Sequence, residues 1–255
     1  MSRPALPRGR GRRKVLFTPG NPIRQADNEI ASGEWDQLNA SGTGTSNVRD
    51  DSKSFTGDWS LKHHVGPTVS AGNPIARANW FAPPGSAPET DPVVEIGQEA
   101  WIGGAFYFQD ADPHDLTFFM RLSDNFQVTE PNTSAINCYF ESASNEMGVN
   151  LKDYNGTTGV PDETFFSGVA LPQDDWAFVE LGILCSDDPD EGWCELWLDN
   201  VQVGSRVTSR TIKLAANMYR RVQFGFGNYL ASAAGREASL WTDRCYLADG
   251  RRGPS

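Results

Sequence analysis

Residues 176–203 have the sequence WAFVELGILCSDDPDEGWCELWLDNVQV, and this stretch predicts two strands joined in a β-hairpin. Apolar side chains occupy every second position at Val179, Leu181, Ile183 and Cys185, and again at Cys194, Leu196 and Leu198. Alternation with a period of two is typical of strands that bury one face. The residues between the two runs are acidic and contain Pro189 and Gly192, so they predict an exposed loop.

The same period of two recurs along the chain from residue 101 onward. The alternating apolar positions are Ile102, Phe106 and Phe108; Leu116, Phe118, Met120 and Leu122; Ile136, Cys138 and Phe140; and Met147, Val149 and Leu151. Turn-forming pairs such as Asp112-Pro113 and Asn155-Gly156 separate these segments. Only residues 207–221 have room for a short helix, and residues 207–212 fit an extended strand equally well. Strands at such short intervals predict an all-β sandwich or barrel.

The composition agrees with one such domain. The 255 residues include 25 Gly, 16 Pro, 14 Phe and 8 Trp, which supply turns and strand formers. We expect an extended arm at residues 1–26, a sandwich at residues 27–250 and a short tail at residues 251–255. Because the sequence contains neither a membrane-spanning apolar run nor the apolar core of a secretory signal, we expect a soluble protein. It would then reach a virion or extracellular surface through assembly or lysis.

Charge is unevenly distributed along the chain. The basic residues near the N-terminus are Arg3, Arg8, Arg10, Arg12, Arg13 and Lys14, and no acidic residue lies among them. Since the whole chain carries a net charge of −11, the remainder carries −17. An acidic body argues against nucleic acid as the main partner, because phosphate binding needs a positive surface. The arm is interpreted either as a disordered solubilising tail or as an anchor that contacts neighbouring proteins in an assembly.

Four cysteines allow two disulfide predictions. In the hairpin described above, Cys185 and Cys194 face each other across the two strands, within reach of a disulfide. The second predicted pair is Cys138 with Cys245. The alternative is that all four are small buried thiols in a reducing compartment.

Two stretches resemble landmarks of a known superfamily. One is GEWD at residues 33–36 followed by FTGDWSLK at residues 55–62, and the other is GWCELWLDNVQV at residues 192–203. Both stretches are similar to concanavalin A-like and laminin-G-like domains. In the second stretch of this chain, Asn200 stands where those domains usually have glycine. Asparagine also tolerates the positive φ that a two-residue turn requires. The resemblance implies a jelly-roll sandwich of two antiparallel sheets, a fold that serves lectins, binding modules, hydrolases, lyases and virion proteins.

A weaker similarity concerns polysaccharide lyases of this fold. The strand ARANW at residues 76–80, followed by IGQEAW at residues 96–101, is placed like the strands that carry the active site of those enzymes. The similarity implies that Arg77 and Asn79 share a face and that Arg77 neutralises a uronate carboxylate. The candidate bases are His63, His64 and Tyr107. Asn79 replaces the usual Glu and a Gln-x-His motif is lacking, so the alternative is that these are ordinary solvent-facing residues.

Two further candidate sites lie in the hairpin. The loop acids Asp187, Asp188, Asp190 and Glu191 offer oxygen ligands of the kind that calcium prefers, although acidic loop tips are commonly just solvated. The aromatic and acidic residues Trp193, Glu195, Trp197 and Asp199 form a candidate sugar platform, with core packing as the alternative for the two indoles. No cofactor other than calcium is expected.

The interpretation that we favour from sequence is a non-catalytic structural or binding module. The first hypothesis is an accessory surface protein of a virion-like assembly, such as a capsid decoration or tail component, with a capacity to bind glycans. The alternatives are a free-standing carbohydrate-binding or adhesion module and a polysaccharide lyase that acts on a uronate-containing glycan.

Overall fold

The computed structural model describes residues 20–29, 34–42, 44–66, 75–81, 92–109, 116–124, 134–141, 144–152, 161–172, 174–213, 218–226, 229–230 and 237–254. Its strands are β1 (Pro22–Ala26), β2 (Gln37–Ser41), β3 (Ser46–Asp50), β4 (Ser60–Val65), β5 (Ile75–Trp80), β6 (Glu99–Gln109), β7 (Leu116–Ser123), β8 (Ala135–Glu141), β9 (Glu146–Lys152), β10 (Glu163–Ala170), β11 (Trp176–Leu184), β12 (Trp193–Leu198), β13 (Val201–Thr208), β14 (Arg221–Phe226), β15 (Tyr229–Leu230) and β16 (Ala238–Ala248). Within these ranges no helix is long and apolar enough to span a bilayer.

The strands form two antiparallel sheets that pack face to face. Sheet A has the order β13-β12-β11-β6-β16-β4-β3, with β1 also paired to β16. Sheet B has the order β10-β9-β8-β7-β14-β5-β2, with β15 also paired to β7. The predicted all-β jelly-roll sandwich is therefore confirmed.

The hairpin that suggested the fold forms as predicted. Val179 of β11 pairs with Leu198 of β12, and Ile183 pairs with Cys194. At the following turn, Asp199 and Asn200 have φ values of 48° and 69°, as a two-residue hairpin turn requires. The Asp199 carboxylate accepts the backbone N–H of Phe178 at 2.8 Å and so fixes this turn to β11.

The main core lies between the sheets. The alternation predicted for β8 and β9 is confirmed, because Ile136, Cys138, Phe140, Met147, Val149 and Leu151 all point into this core. Aromatic rings join the two layers, with Phe108 of sheet A stacked on Phe140 of sheet B at 4.4 Å between centroids. Such interdigitation gives the close packing expected of a sandwich interior.

In β7 the predicted alternation fails at its centre. The pairing with β8 shifts between Phe118 and Met120, and Phe119 rather than Phe118 joins the core. Phe118 instead packs beside the Arg121 guanidinium, which lies 5.9 Å from its ring centroid. A β-bulge inserts one extra residue and thereby reverses the faces on one side of it. Met120 and Leu122 lie inside as predicted, which leaves Arg121 outward, and the reversed face lies on the Phe118 side of the bulge.

A second apolar cluster covers the outer face of sheet A. Its buried members are Trp101, Ala105, Phe178, Trp193, Tyr246 and Ala248. Among them lies the carboxylate of Glu180, which is fully buried. It accepts hydrogen bonds from the Tyr246 hydroxyl at 2.5 Å, from Arg251 Nε at 2.8 Å and from the Gly253 N–H at 2.7 Å. Residues 251–253, predicted to be a tail, are thus bound to the sandwich.

The N-terminal boundary also differs from the prediction. Residues Pro22–Ala26 form β1 and pair with β16, and the Asn21 N–H donates to Asp249 Oδ1 at 2.6 Å. The sandwich therefore begins before residue 27. The sequence of β1 shows no period-two pattern of apolar residues. The position of this strand in the sheet depends instead on its pairing with β16 from the other end of the chain. The basic residues Arg3, Arg8, Arg10, Arg12, Arg13 and Lys14 lie outside the described residues.

Candidate functional site

A line of polar side chains crosses the outer face of sheet B from edge to edge. Successive cross-strand partners on β2, β5, β14, β7, β8, β9 and β10 are Gln37, Asn79, Gln223, Arg121, Asn137, Asn150 and Thr164. Directly paired residues point to the same face of a sheet. The chain neighbours of the central members, such as Val222 and Phe224, belong to the core. We call these seven residues the polar row.

The central part of the polar row is buried and internally bonded. Asn79, Gln223, Arg121, Asn137 and Asn150 are 0–6% exposed. Asn137 Nδ2 donates to Asn150 Oδ1 at 2.9 Å, and the amides of Gln223 and Asn79 approach within 2.9 Å. Buried polar groups held by such bonds have defined orientations. The central part of the polar row is therefore a preorganised and largely buried hydrogen-bonding network.

Two arginines place positive charge at the centre of this surface. Arg77 precedes Asn79 by two residues on β5 and so shares its face, and Arg121 lies on β7, with β14 between them. Burial, and then the charge of Arg121, lower the pKa of Arg77 to about 9, so the guanidinium remains protonated at neutral pH. Two close, buried guanidinium groups repel each other, and a carboxylate bound between them relieves this repulsion.

Tyr139 extends the site along β8. It follows Asn137 by two residues, faces outward and pairs with Phe118 and Gly148. Its ring lies over Gly148, where an added Cβ would be 2.4 Å from the phenol oxygen. Burial, followed by the nearby charge of Glu141, raises the pKa of Tyr139 above its usual value of 10. The site thus contains a titratable hydroxyl one strand away from Arg121.

The structure separates the residues that sequence similarity grouped as a lyase site. Arg77 and Asn79 share the outer face of sheet B, as expected. His64 and Tyr107 instead lie on sheet A, where His64 Nδ1 contacts Ser239 Oγ at 3.0 Å and Tyr107 lies 4.1 Å beneath the Lys53 ammonium. Both point away from sheet B, since their chain neighbours His63 and Phe106 point inward. The thickness of the sandwich prevents them from acting with Arg77.

His63 is also unsuited to act as a base. It is fully buried, and its two ring nitrogens contact Asn47 Oδ1 at 2.7 Å and Thr242 Oγ1 at 3.0 Å. Burial lowers the pKa of its imidazole to about 3. His63 is therefore a neutral core residue in the physiological pH range.

The predicted sugar platform on sheet A is occupied by the chain itself. The guanidinium of Arg206 lies 3.8 Å from the Trp193 ring centroid, and that of Arg251 lies 3.7 Å from Trp197. Glu195 accepts from Arg206 Nε at 2.6 Å and from Trp197 Nε1 at 3.2 Å. These contacts, like the Asp199 bond to the β11 backbone, give the four residues a packing role.

The acidic loop folds as a hydrogen-bonded turn. Asp188 Oδ1 accepts the N–H of Asp190 at 2.8 Å, and the Asp188 carbonyl accepts the N–H of Gly192 at 3.0 Å, which shapes the tip as a turn. Nowhere in the described ranges do three or more His, Cys, Asp or Glu residues converge as metal ligands. The residues predicted to bind calcium, Asp187, Asp188, Asp190 and Glu191, therefore do not form such a group.

The predicted disulfides are not formed in this structure. Cys138, Cys185, Cys194 and Cys245 are buried free thiols. Cys194 pairs with Ile183, so Cys185 lies two residues beyond the position that faces it. Cys138 and Cys245 belong to different sheets. Burial and the charge of Asp187 raise the pKa of Cys185 to about 12, which makes this thiol unreactive at neutral pH.

Sequence reasoning missed most of the polar row. The sequence patterns do not predict Arg121, Asn137, Gln223, Asn150 or Tyr139 as site residues. The available signal was a long polar residue between core positions on several strands. That signal does not reveal which strands are neighbours.

Comparisons with known proteins are consistent with this geometry. The family model of polysaccharide lyases matches residues 30–245, whereas the search of curated proteins found no match. An endo-β-1,4-glucuronan lyase from the fungus Trichoderma reesei superimposes with a TM-score of 0.67 at 12% identity, covering 89% of this chain and 95% of that one.

Two further structures share the fold. Cellulose induced protein Cip1 has a TM-score of 0.53 at 16% identity and covers 91% of this chain and 99% of its own. An alginate lyase mutant in complex with alginate tetrasaccharide has a TM-score of 0.51 at 12% identity and covers 81% of this chain and 87% of its own. At such low identities these structures support the jelly-roll fold alone.

Proposed function

The chain belongs to the polysaccharide lyase family, and from that premise we propose that it binds a uronate-containing polysaccharide across sheet B and cleaves it by β-elimination. The observation that carries this proposal is the pair Arg77 and Arg121 within the polar row. Neutralising the carboxylate of a bound uronate is the step that makes its C5 proton acidic enough to remove.

Local charge outweighs the acidity of the whole chain at this site. The net charge of −11 disfavours a polyanion at long range. The polar row, however, contains no acidic position, and Arg221 adds a third guanidinium on the same face, opposite Ser123. Because screening in salt weakens distant charges more than close ones, the arginines dominate the interaction at contact distance.

Tyr139 is the proposed proton-transfer residue. As a phenolate it removes the C5 proton, the electrons of that bond form the C4=C5 double bond, and the C4–O glycosidic bond breaks. The phenol then returns the proton to the leaving oxygen. Since one residue acts at both atoms, the C5 proton and the C4 oxygen must lie on the same side of the ring. Glucuronate and mannuronate units meet this requirement, whereas galacturonate and guluronate units do not.

The comparisons favour this alternative over the virion-accessory hypothesis. The family match concerns polysaccharide lyases and two of the structural neighbours are a glucuronan lyase and an alginate lyase, and none of these offers support for a capsid or tail component. The interpretation of the basic arm as an anchor therefore gains nothing from them. Glycan recognition remains common to both hypotheses.

The test is a substrate screen with matched variants. The protein is incubated with polyglucuronate, mannuronate-rich alginate and polygalacturonate, and the unsaturated uronate product is followed by its ultraviolet absorbance. We expect activity on one of the first two, lost in Arg77→Ala and Arg121→Ala. Arg206→Ala makes the same charge change on sheet A and should retain activity. Binding without any product would indicate a non-catalytic glycan-binding module, and neither binding nor product would refute the proposal.

A further inference from the structure

A small pocket opens on the outer face of sheet A, where three parts of the chain meet. Its lining residues are Gln25 of β1, Phe178 of β11, Arg244 and Tyr246 of β16, and Arg252 and Gly253 of the C-terminal segment. The rings of Phe178 and Tyr246 stack at 6.4 Å between centroids and form an apolar wall. None of the six lining residues is acidic, although the whole chain carries a net charge of −11. The pocket therefore concentrates positive charge on an acidic protein.

Arg252 contributes a hydrogen-bond donor to this pocket. Its Nη1 atom is buried and makes no hydrogen bond with any residue that the structure describes. The nearby carboxylate of Glu180 accepts from the Tyr246 hydroxyl at 2.5 Å and from Arg251 Nε at 2.8 Å. From Arg252 it accepts the backbone N–H, at 3.3 Å. Because a buried charged donor is costly unless it is paired, Nη1 is suited to an acceptor that enters the pocket from outside.

Arg244 brings a second guanidinium to the pocket at a β-bulge. The pairing of β16 with β6 shifts between Asp243 and Tyr246, so β16 carries one extra residue there, and Arg244 has a left-handed φ of 50°. Bulges and left-handed residues other than glycine are common where a side chain is re-aimed at a functional site. A guanidinium has five N–H donors, so Arg244 can keep its protein contacts and still donate to a group in the pocket. The amide of Gln25 adds a neutral donor from β1.

We propose that this pocket binds an oxyanion, which is a sulfate, phosphate or carboxylate group, with Arg252 as the principal donor. A guanidinium suits such a group because it can donate two parallel N–H bonds to a pair of oxygens. The pocket is small and half-open, so it takes one charged group presented from solvent, either as a free anion or as a substituent of a larger molecule. It lies on the sheet opposite the polar row, and the inference does not depend on the proposed function.

The test titrates the full-length protein with inorganic phosphate, sodium sulfate and glucuronate at millimolar concentrations and constant ionic strength. Isothermal titration calorimetry gives the affinity, and thermal unfolding gives the stabilisation. A ligand at ten times its Kd should raise the melting temperature by about 3–6 °C, because it binds only the folded protein. A parallel titration with polyglucuronate distinguishes the two sources of the anion. Tighter binding of the polymer than of glucuronate indicates a substituent of a larger molecule, whereas equal affinity indicates a free anion, and both results support the pocket.

Matched substitutions locate the bound anion. Arg252→Gln removes the principal guanidinium and should weaken binding on the order of 10- to 100-fold, the effect of losing a charged hydrogen bond. Arg244→Gln should weaken binding in the same direction. Arg206→Gln makes the same charge change on sheet A outside the pocket and should leave the affinity nearly unchanged. Sulfate also stabilises proteins by exclusion from their surface, but that effect does not depend on Arg252.

Two results would overturn the proposal. One is that no probe shows saturable binding to the wild-type protein. The other is that binding persists in Arg252→Gln and Arg244→Gln but is lost in Arg121→Ala, which would place the anion on sheet B. Thermal unfolding without ligand identifies a variant that has lost its fold, and Arg244→Gln then provides the comparison in place of Arg252→Gln. Cleavage of polyuronates is measured separately, so failure of the proposed function is distinguishable from failure of this site.

Discussion

Substitution of Glu180 should reveal how the C-terminal segment is held to the sandwich. Its carboxylate is completely buried on sheet A and bonds to Arg251, to the Tyr246 hydroxyl and to the Gly253 N–H. Glu180→Ala removes these acceptors and leaves the Arg251 guanidinium, which is 12% exposed, without its carboxylate. Breaking one partner of a buried ion pair typically costs about 3–5 kcal/mol. We therefore expect the free energy of unfolding to fall by about that amount.

The assay is urea unfolding, followed by tryptophan fluorescence, on a double-mutant cycle. Glu180→Met, Arg251→Met and the double variant isolate the coupling energy, which should be about 2–3 kcal/mol for groups in one buried network. The exposed pair Glu195–Arg206, whose arginine is 47% exposed, is the control and should give about 0.2–1 kcal/mol. A coupling below about 0.5 kcal/mol for the buried pair would show that the C-terminal segment does not depend on Glu180.

Three further predictions concern the site and the core. Because the pKa of Tyr139 is raised, its phenolate is scarce at neutral pH, so kcat should rise with pH above neutrality until Arg77, with a pKa of about 9, loses its charge. Activity should be lost in Tyr139→Phe, and a profile flat above neutrality would contradict this role. Gly148→Ala should displace the Tyr139 ring and lower kcat, and it should also lower the melting temperature because the new Cβ would lie 2.6 Å from the Phe166 carbonyl oxygen. Kinetics and thermal unfolding of the same variant measure the two effects, and an unchanged kcat would contradict the role of the ring position. The folded-state pKa of His63 is about 3, below its unfolded value, so its contribution to stability is present above about pH 6.5 and declines by up to roughly 1.4 kcal/mol per pH unit as pH falls toward 3. His63→Gln should unfold with a weaker pH dependence across that window, and identical slopes in urea titrations would exclude the assignment.

The local alternation in the sequence predicted β8, β9, β11 and β12 because each strand carries its own pattern of buried and exposed positions. It failed at the β7 bulge, since one inserted residue reverses the faces and leaves no mark in the composition. It also failed at β1, whose burial comes from pairing with β16 at the other end of the chain. Patterns within a strand predict faces, but they contain no information about partners.

The candidate site shows the same division. The sequence by itself determined that Arg77 and Asn79 share a face, because they are two residues apart on one strand. Only the tertiary structure decided that β14 lies between β5 and β7, and it thereby brought Gln223 to Asn79 across a separation of 144 residues. It also decided that His64 and Tyr107 lie on the opposite side of the molecule. The physical reason is that strand order in a sandwich depends on how the whole chain buries its apolar faces, and no single segment encodes that order.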